Sequence, residues 1–88
     1  MSYEIIPLKP FQKFFALRTP AERDVIDSKM ELLKMNPFDT KNLDIKKLKG
    51  YKVRYRLRVW DYRIIYEVHN DELIIIVMEG GNRGDIYK

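Results

Sequence analysis

The sequence predicts an α+β domain: an antiparallel β-sheet with an N-terminal helical hairpin packed on one face, in the order β-α-α-β-β-β. Three stretches carry that expectation. Tyr51 to Val59 alternates apolar and cationic residues without a break, the period of a strand buried on one face. Thr19-Pro20-Ala21-Glu22 is a capping box that opens an apolar stripe at helical spacing. Leu73 to Met78 is a continuous apolar run, as expected for a strand in the middle of a sheet.

In chain order, Ser2 to Ile6 reads as a short strand stopped by Pro7, and an edge position suits a residue that cannot donate to a ladder. Phe11, Phe14 and Phe15 fall at i, i+3 and i+4, so a short helix runs from Pro10 to about Arg18. A second helix begins at the Thr19 cap, carries Ile26, Met30 and Leu33 inward, and ends at Asn36-Pro37, because the residue before proline is pushed out of the helical region. Phe38 to Gly50 is a connector anchored by Leu43, Ile45 and Leu48. The basic strand follows and turns at Trp60-Asp61 into a return strand, Tyr62 to His69. Asn70-Asp71 makes the next turn, Glu72 to Glu79 is the central strand, and Gly80-Gly81 breaks it before a tail, Asn82 to Lys88.

Eighty-eight residues make a single domain, 1–88, with 45% hydrophobic and 34% charged residues, a composition suited to folding rather than disorder. No cysteine is present, so disulfides and thiolate metal sites are excluded. One histidine with scattered carboxylates gives a metal no ligand set, and no cofactor is expected. No run approaches the ~18 apolar residues of a membrane span and no signal-peptide pattern opens the chain, so the expectation is a soluble cytoplasmic protein with no membrane partner. The net charge of +4 hides an asymmetry. Lys46 to Arg63 holds eight cations and one anion, while the rest of the chain holds nine cations and twelve anions. A basic stripe on a slightly acidic body is the footprint of a phosphate-bearing or acidic partner.

A turn at Trp60-Asp61 sets Leu57 against Ile64, Tyr55 against Tyr66 and Val53 against Val68 on the core face. Arg58 then meets Arg63, Arg56 meets Ile65, Arg54 meets Glu67 and Lys52 meets His69 on the other. A two-residue turn at Asn70-Asp71 places Leu73, Ile75 and Val77 on the core face and Ile74, Ile76 and Met78 on the arginine face. Lys52, Arg54, Arg56 and Arg58 form either a solvated face or a phosphate-binding one. The run of cations with no interspersed acid, three of them arginines whose planar forks grip phosphate, favours RNA or DNA phosphate. His69 lies far along its strand from Arg63 and reads as a surface residue. Glu67 is more simply an ion-pair partner of Arg54 than a general base. Trp60 either stacks on a base or packs on its own hairpin.

Leu48-Lys49-Gly50, Tyr55-Arg56-Leu57-Arg58-Val59, Asp61-Tyr62-Arg63-Ile64-Ile65-Tyr66-Glu67-Val68, Gly81-Asn82-Arg83 and Asp85-Ile86-Tyr87 together resemble the RelE/ParE superfamily of toxin–antitoxin modules, most closely its RelE branch. The resemblance implies a toxin that acts as an mRNA interferase, entering the ribosomal A site and cutting the codon there, with a RelB-like antitoxin covering the basic sheet face. Carried over by motif, the catalytic set is Arg54, Arg56, Arg63, Arg83 and Tyr87, working by attack of the ribose 2′-OH without a metal. The remaining cations of the stripe, Lys46, Lys47, Lys49, Lys52 and Arg58, are expected to hold flanking RNA. The chain departs from many relatives at Asn82, where they have His, and at Trp60, where they have Gly. The superfamily also contains ParE-like gyrase poisons, and a non-catalytic RNA-binding module is a third possibility. Retention of the arginines with Tyr87 separates the nuclease from both.

Overall fold

The computed structural model describes residues 2–82, in the order β1 (Glu4–Pro7), α1 (Lys9–Ala16), α2 (Pro20–Met35), β2 (Asp44–Lys47), β3 (Arg54–Val59), β4 (Tyr62–His69) and β5 (Ile74–Asn82). The five strands form one sheet ordered β1-β5-β4-β3-β2. Both helices contribute to the core on one face of it, so the α+β class and the helical layer are as expected. Two features of the sheet differ. β1 pairs with β5 in parallel, which makes the sheet mixed, and part of the expected connector is a fifth strand, β2, antiparallel to β3 at the opposite edge.

The helices form for local reasons. Thr19 accepts from the Glu22 backbone N–H at 3.2 Å while the Glu22 carboxylate accepts from the Thr19 N–H at 2.9 Å, closing the capping box on α2. Asn36 leaves helical geometry at φ −158° ahead of Pro37. Phe11 and Phe14 of α1 and Ile26, Met30 and Leu33 of α2 bury against Leu57, Val59, Ile64, Tyr66, Val68, Ile75 and Val77 of the sheet, and Leu43 joins them from the segment before β2. No helix among the described residues is long and apolar enough to cross a membrane.

The β3–β4 register is the expected one, from Arg54 opposite Glu67 to Val59 opposite Tyr62. The strand itself starts at Arg54 rather than Tyr51, so the expected pairing of Lys52 with His69 does not form. The β4–β5 register differs more. The connection is a four-residue loop, Asn70 to Leu73, with Leu73 at φ +54°, rather than a two-residue turn, and Val68 pairs with Ile75 and Tyr66 with Val77. Between Ile65 and Tyr66 the register slips by one residue, so that Ile65 faces Glu79 and Met78 is the extra residue of a β-bulge. Strict alternation after Val77 would have aimed Glu79 at the helices. The bulge places Gly80 on that face instead and keeps a carboxylate out of the core. Nor do Gly80 and Gly81 end the strand, since pairing runs on to Asn82 opposite Tyr62.

Tyr66 sits at the centre of the core, fully buried, with its hydroxyl donating to the Pro37 carbonyl at 2.9 Å. Burial pushes its phenol well above the ordinary tyrosine value. Tyr66→Phe removes that donor and leaves the Pro37 carbonyl unpaired, so chemical denaturation should show a loss of about 1 kcal/mol at an unchanged m-value.

Candidate functional site

β3 and β4 bring the cations together, because their alternation aims every second residue away from the helices. On that face Arg54 lies opposite Glu67, Arg56 opposite Ile65 and Arg58 opposite Arg63, and β2 adds Lys46 opposite Arg56. Five of the sequence-predicted site residues therefore share one surface. Lys47 does not join them, since it pairs with Tyr55 and takes the parity of the core face. Lys49 and Lys52 are exposed in the segment that leads into β3, outside the ladder. Arg83 and Tyr87 lie outside the described residues.

The arginines have distinct environments. Arg54 Nε donates to Glu67 Oε2 at 2.7 Å, and its guanidinium stands 4.4 Å from the centroid of the Tyr51 ring. The Arg56 side chain is 13% exposed and its Nη2 donates to Asp44 Oδ1 at 3.0 Å, a bridge delivered by the unexpected strand β2. Arg58 is exposed and donates from Nε to the Trp60 carbonyl at 2.9 Å. Arg63 is only 6% exposed and is the sole buried charged side chain among the described residues. Arg56 Nε and Arg63 Nη1 are buried without a hydrogen-bond partner among the described residues. These two donors sit diagonally across adjacent strands, so the face holds desolvated positive charge whose donors an oxyanion would satisfy.

Asp44 is the residue of this face that sequence reasoning missed. The available signal was a lone carboxylate two residues ahead of Lys46, but its meaning depends on β2 reaching Arg56. Glu67 proves to be an ion-pair residue, as expected, shared between Arg54 and His69 Nε2 at 3.2 Å. His69 is thus half-buried against Glu67 instead of standing free. The apolar part of the face is smaller than expected: Ile65 is already buried, while Ile74, Ile76 and Met78 are half-buried.

The hydrogen bond from Arg54 holds the Glu67 carboxyl below the usual carboxylate range; desolvation works against it and the His69 contact adds to it. A carboxyl lowered by folding stabilises above its unfolded pKa, near 4.5, and that contribution is lost as pH falls through the folded value. Glu67→Gln should therefore lower thermal stability at neutral pH by the equivalent of roughly 1 kcal/mol or less. The gap from the unaltered chain should close as the melts are taken below the carboxylate range.

Fold and face together define a small α+β protein that covers one side of its sheet with helices and presents clustered arginines on the other. The chain matches the family described as the ParE toxin of the type II toxin-antitoxin system over residues 14–87. It is 41% identical over 59 residues to the toxin RelE1 of Methanocaldococcus jannaschii, covering 67% of this chain and 66% of that one. It is also 51% identical over 39 residues to toxin RelE3 of the same organism, covering 44% of each. The chain thus spans a little under two-thirds of the first relative's length and under half of the second's. Among solved structures it is similar to the RelE of the archaeal RelE–RelB complex from Pyrococcus horikoshii OT3, with TM-score 0.85 and 26% identity over 97% of this chain and 99% of that one. It is also similar to the RelB–RelE antitoxin–toxin complex of Methanococcus jannaschii, with TM-score 0.77 and 33% identity over 94% and 95% of the two chains. The chain belongs to the RelE/ParE toxin superfamily.

Proposed function

We propose that the chain is the toxin of a type II toxin–antitoxin module and acts as a ribosome-dependent mRNA endoribonuclease in the cytoplasm. The observation that carries this reading is the pair of buried donors without a partner among the described residues, Arg56 Nε and Arg63 Nη1, on a face that also holds Arg54, Arg58 and Lys46. Cleavage by the ribose 2′-OH develops a dianionic phosphorane, and donors set in advance around that charge lower the barrier without reorganising. In this reading Arg54, Arg56 and Arg63 hold the scissile phosphate. Arg83 and Tyr87, carried over by motif, are assigned charge stabilisation and proton transfer. Lys46 and Arg58 hold flanking RNA, with Lys47, Lys49 and Lys52 contributing to the wider basic field. Attack by the 2′-oxygen on phosphorus breaks the bond to the 5′-oxygen, leaving a 2′,3′-cyclic phosphate and a 5′-hydroxyl. A RelB-like antitoxin that covers Ile74, Ile76 and Met78 and answers the arginines with acidic residues competes with RNA for the same face.

The test is brief expression of the chain, with mRNA 5′ ends mapped and DNA supercoiling assayed in parallel. Cuts within codons in the translated frame are expected, and intact mRNA would overturn the proposal. A second reading, poisoning of DNA gyrase, is favoured by the match to the ParE family. Gyrase-linked DNA breaks with uncut mRNA would establish it.

A further inference from the structure

Trp60 occupies a position that stability alone does not explain. It is the first residue of the two-residue loop between β3 and β4 and adopts φ +54°, a conformation that favours glycine and is strained for a bulky side chain. Burial does not offset that strain, because the residue is 52% exposed. Its indole meets the Tyr62 ring edge-on, with centroids 6.4 Å apart and planes at 65°. The Arg18 guanidinium stands 4.7 Å from both the Tyr62 and Phe14 centroids, extending the aromatic surface with a cation. Arg58, two residues before Trp60, is tied to its carbonyl. Of the nearby acids, Glu22 is engaged by the Tyr62 hydroxyl at 2.9 Å and by the Thr19 N–H at 2.9 Å.

We infer that Trp60 is a stacking platform for an unpaired base of bound RNA, placed at the hairpin tip where the arginine face ends, with its indole turned toward Tyr62 on the helix side. The inference rests on the RNA-cleaving reading and adds a base-binding element to it. Only Val59 separates Trp60 from Arg58, so an RNA strand whose phosphate lies on Arg58 and that wraps the hairpin tip sets a neighbouring base against the indole. Cations on either side, Arg58 and Arg18, favour a phosphate-bearing occupant over an apolar peptide. Stacking of this kind is tolerant of base identity, since every base has a π face.

Trp60 is the chain's only tryptophan, so emission excited selectively in tryptophan reports on this site alone. The full chain is titrated with a 2′-O-methyl oligoadenylate, which it cannot cleave, and separately with inorganic polyphosphate at the same salt concentration. The oligonucleotide should quench the emission, and polyphosphate should bind without quenching. Trp60→Gly, which suits the loop conformation and should fold at least as well, should weaken oligonucleotide binding by roughly 5- to 100-fold in a dye-anisotropy assay, with polyphosphate affinity unchanged. Trp60→Tyr, which keeps a π face, should retain most of the affinity. Unquenched oligonucleotide binding with equal affinity in Trp60→Gly, or equal quenching by polyphosphate, overturns the inference. Either result leaves the phosphate-binding face standing. Failure of both polyanions to bind overturns the RNA reading itself, and this inference with it.

Discussion

Arg63→Met is expected to lower ribosome-dependent mRNA cleavage by about 10²- to 10³-fold while raising the melting temperature, two effects of opposite sign from one side chain. Arg63 faces Arg58 across the β3–β4 ladder, is 6% exposed, and has a buried Nη1 with no partner among the described residues. A desolvated charge beside a like charge opposes folding, and methionine replaces it with an unbranched apolar chain that packs on neighbouring Ile65. The expected gain is about 1 kcal/mol or more, the lower end of what apolar replacement of buried ionic groups delivers. The same donor is lost to a developing phosphorane, which is why activity falls. Cleavage kinetics on programmed ribosomes and a thermal melt of the same preparation decide the matter. A destabilised variant would mean that the guanidinium is a structural member of the fold, and retained cleavage would remove Arg63 from the site.

Gly80→Ala is expected to cost roughly 1–3 kcal/mol through overpacking. A β-carbon at Gly80 would stand 2.5 Å from Phe14 Cδ2, 2.7 Å from Cε2 and 2.8 Å from Cγ. The ring has little room to retreat. Phe14 is buried, packs edge-on against Tyr62 at 5.3 Å, touches Phe11 at 6.0 Å and lies under the Arg18 guanidinium. At ~4–8 °C per kcal/mol for a domain of this size, the melting temperature should fall on the order of 10 °C. Phe14→Leu in the same chain removes the ring and should recover part of the loss, so the double mutant should be more stable than the sum of the single changes implies. Additive losses would show that the glycine is needed for backbone conformation and not for the close approach. Gly81, next in β5, pairs with Arg63, so a displaced strand end should reduce cleavage in parallel with stability, and both should return in the double mutant.

Most of the helical layer was legible in the residues, because its determinants are local. The Thr19–Glu22 capping box, the stop at Asn36-Pro37 and the Ile26, Met30, Leu33 stripe each act within a few positions, and each appears in the fold as read. The β3–β4 hairpin was legible for the same reason, since a two-residue turn leaves only one register that keeps Leu57, Tyr66 and Ile64 inside. The candidate site was half legible. Alternation alone placed Arg54, Arg56 and Arg58 on one face opposite Arg63, yet it equally admitted Lys52, which the late start of β3 leaves outside the ladder.

What the residues determined by themselves is therefore the set of elements with local signals, and the side of the basic hairpin on which its charges lie. Tertiary structure alone decided the parallel docking of β1 on β5, the recruitment of Asp44–Lys47 as an edge strand, and the bulge at Met78. The reason is physical: the four residues of β2 carry too short a pattern to announce a strand, whereas β1, readable as a strand, pairs with β5 at the far end of the chain, so nothing local fixes its direction. Likewise, only the assembled sheet reveals that Glu79 must be turned from the core and that the Phe14 ring leaves space for nothing beyond a glycine at position 80. The arginines changed most in meaning. Their sequence is an even row of charge, but packing pairs Arg54 with Glu67, anchors Arg56 on Asp44 and buries Arg63 with no counter-ion among the described residues, because desolvation and counter-ions depend on neighbours that alternation cannot specify.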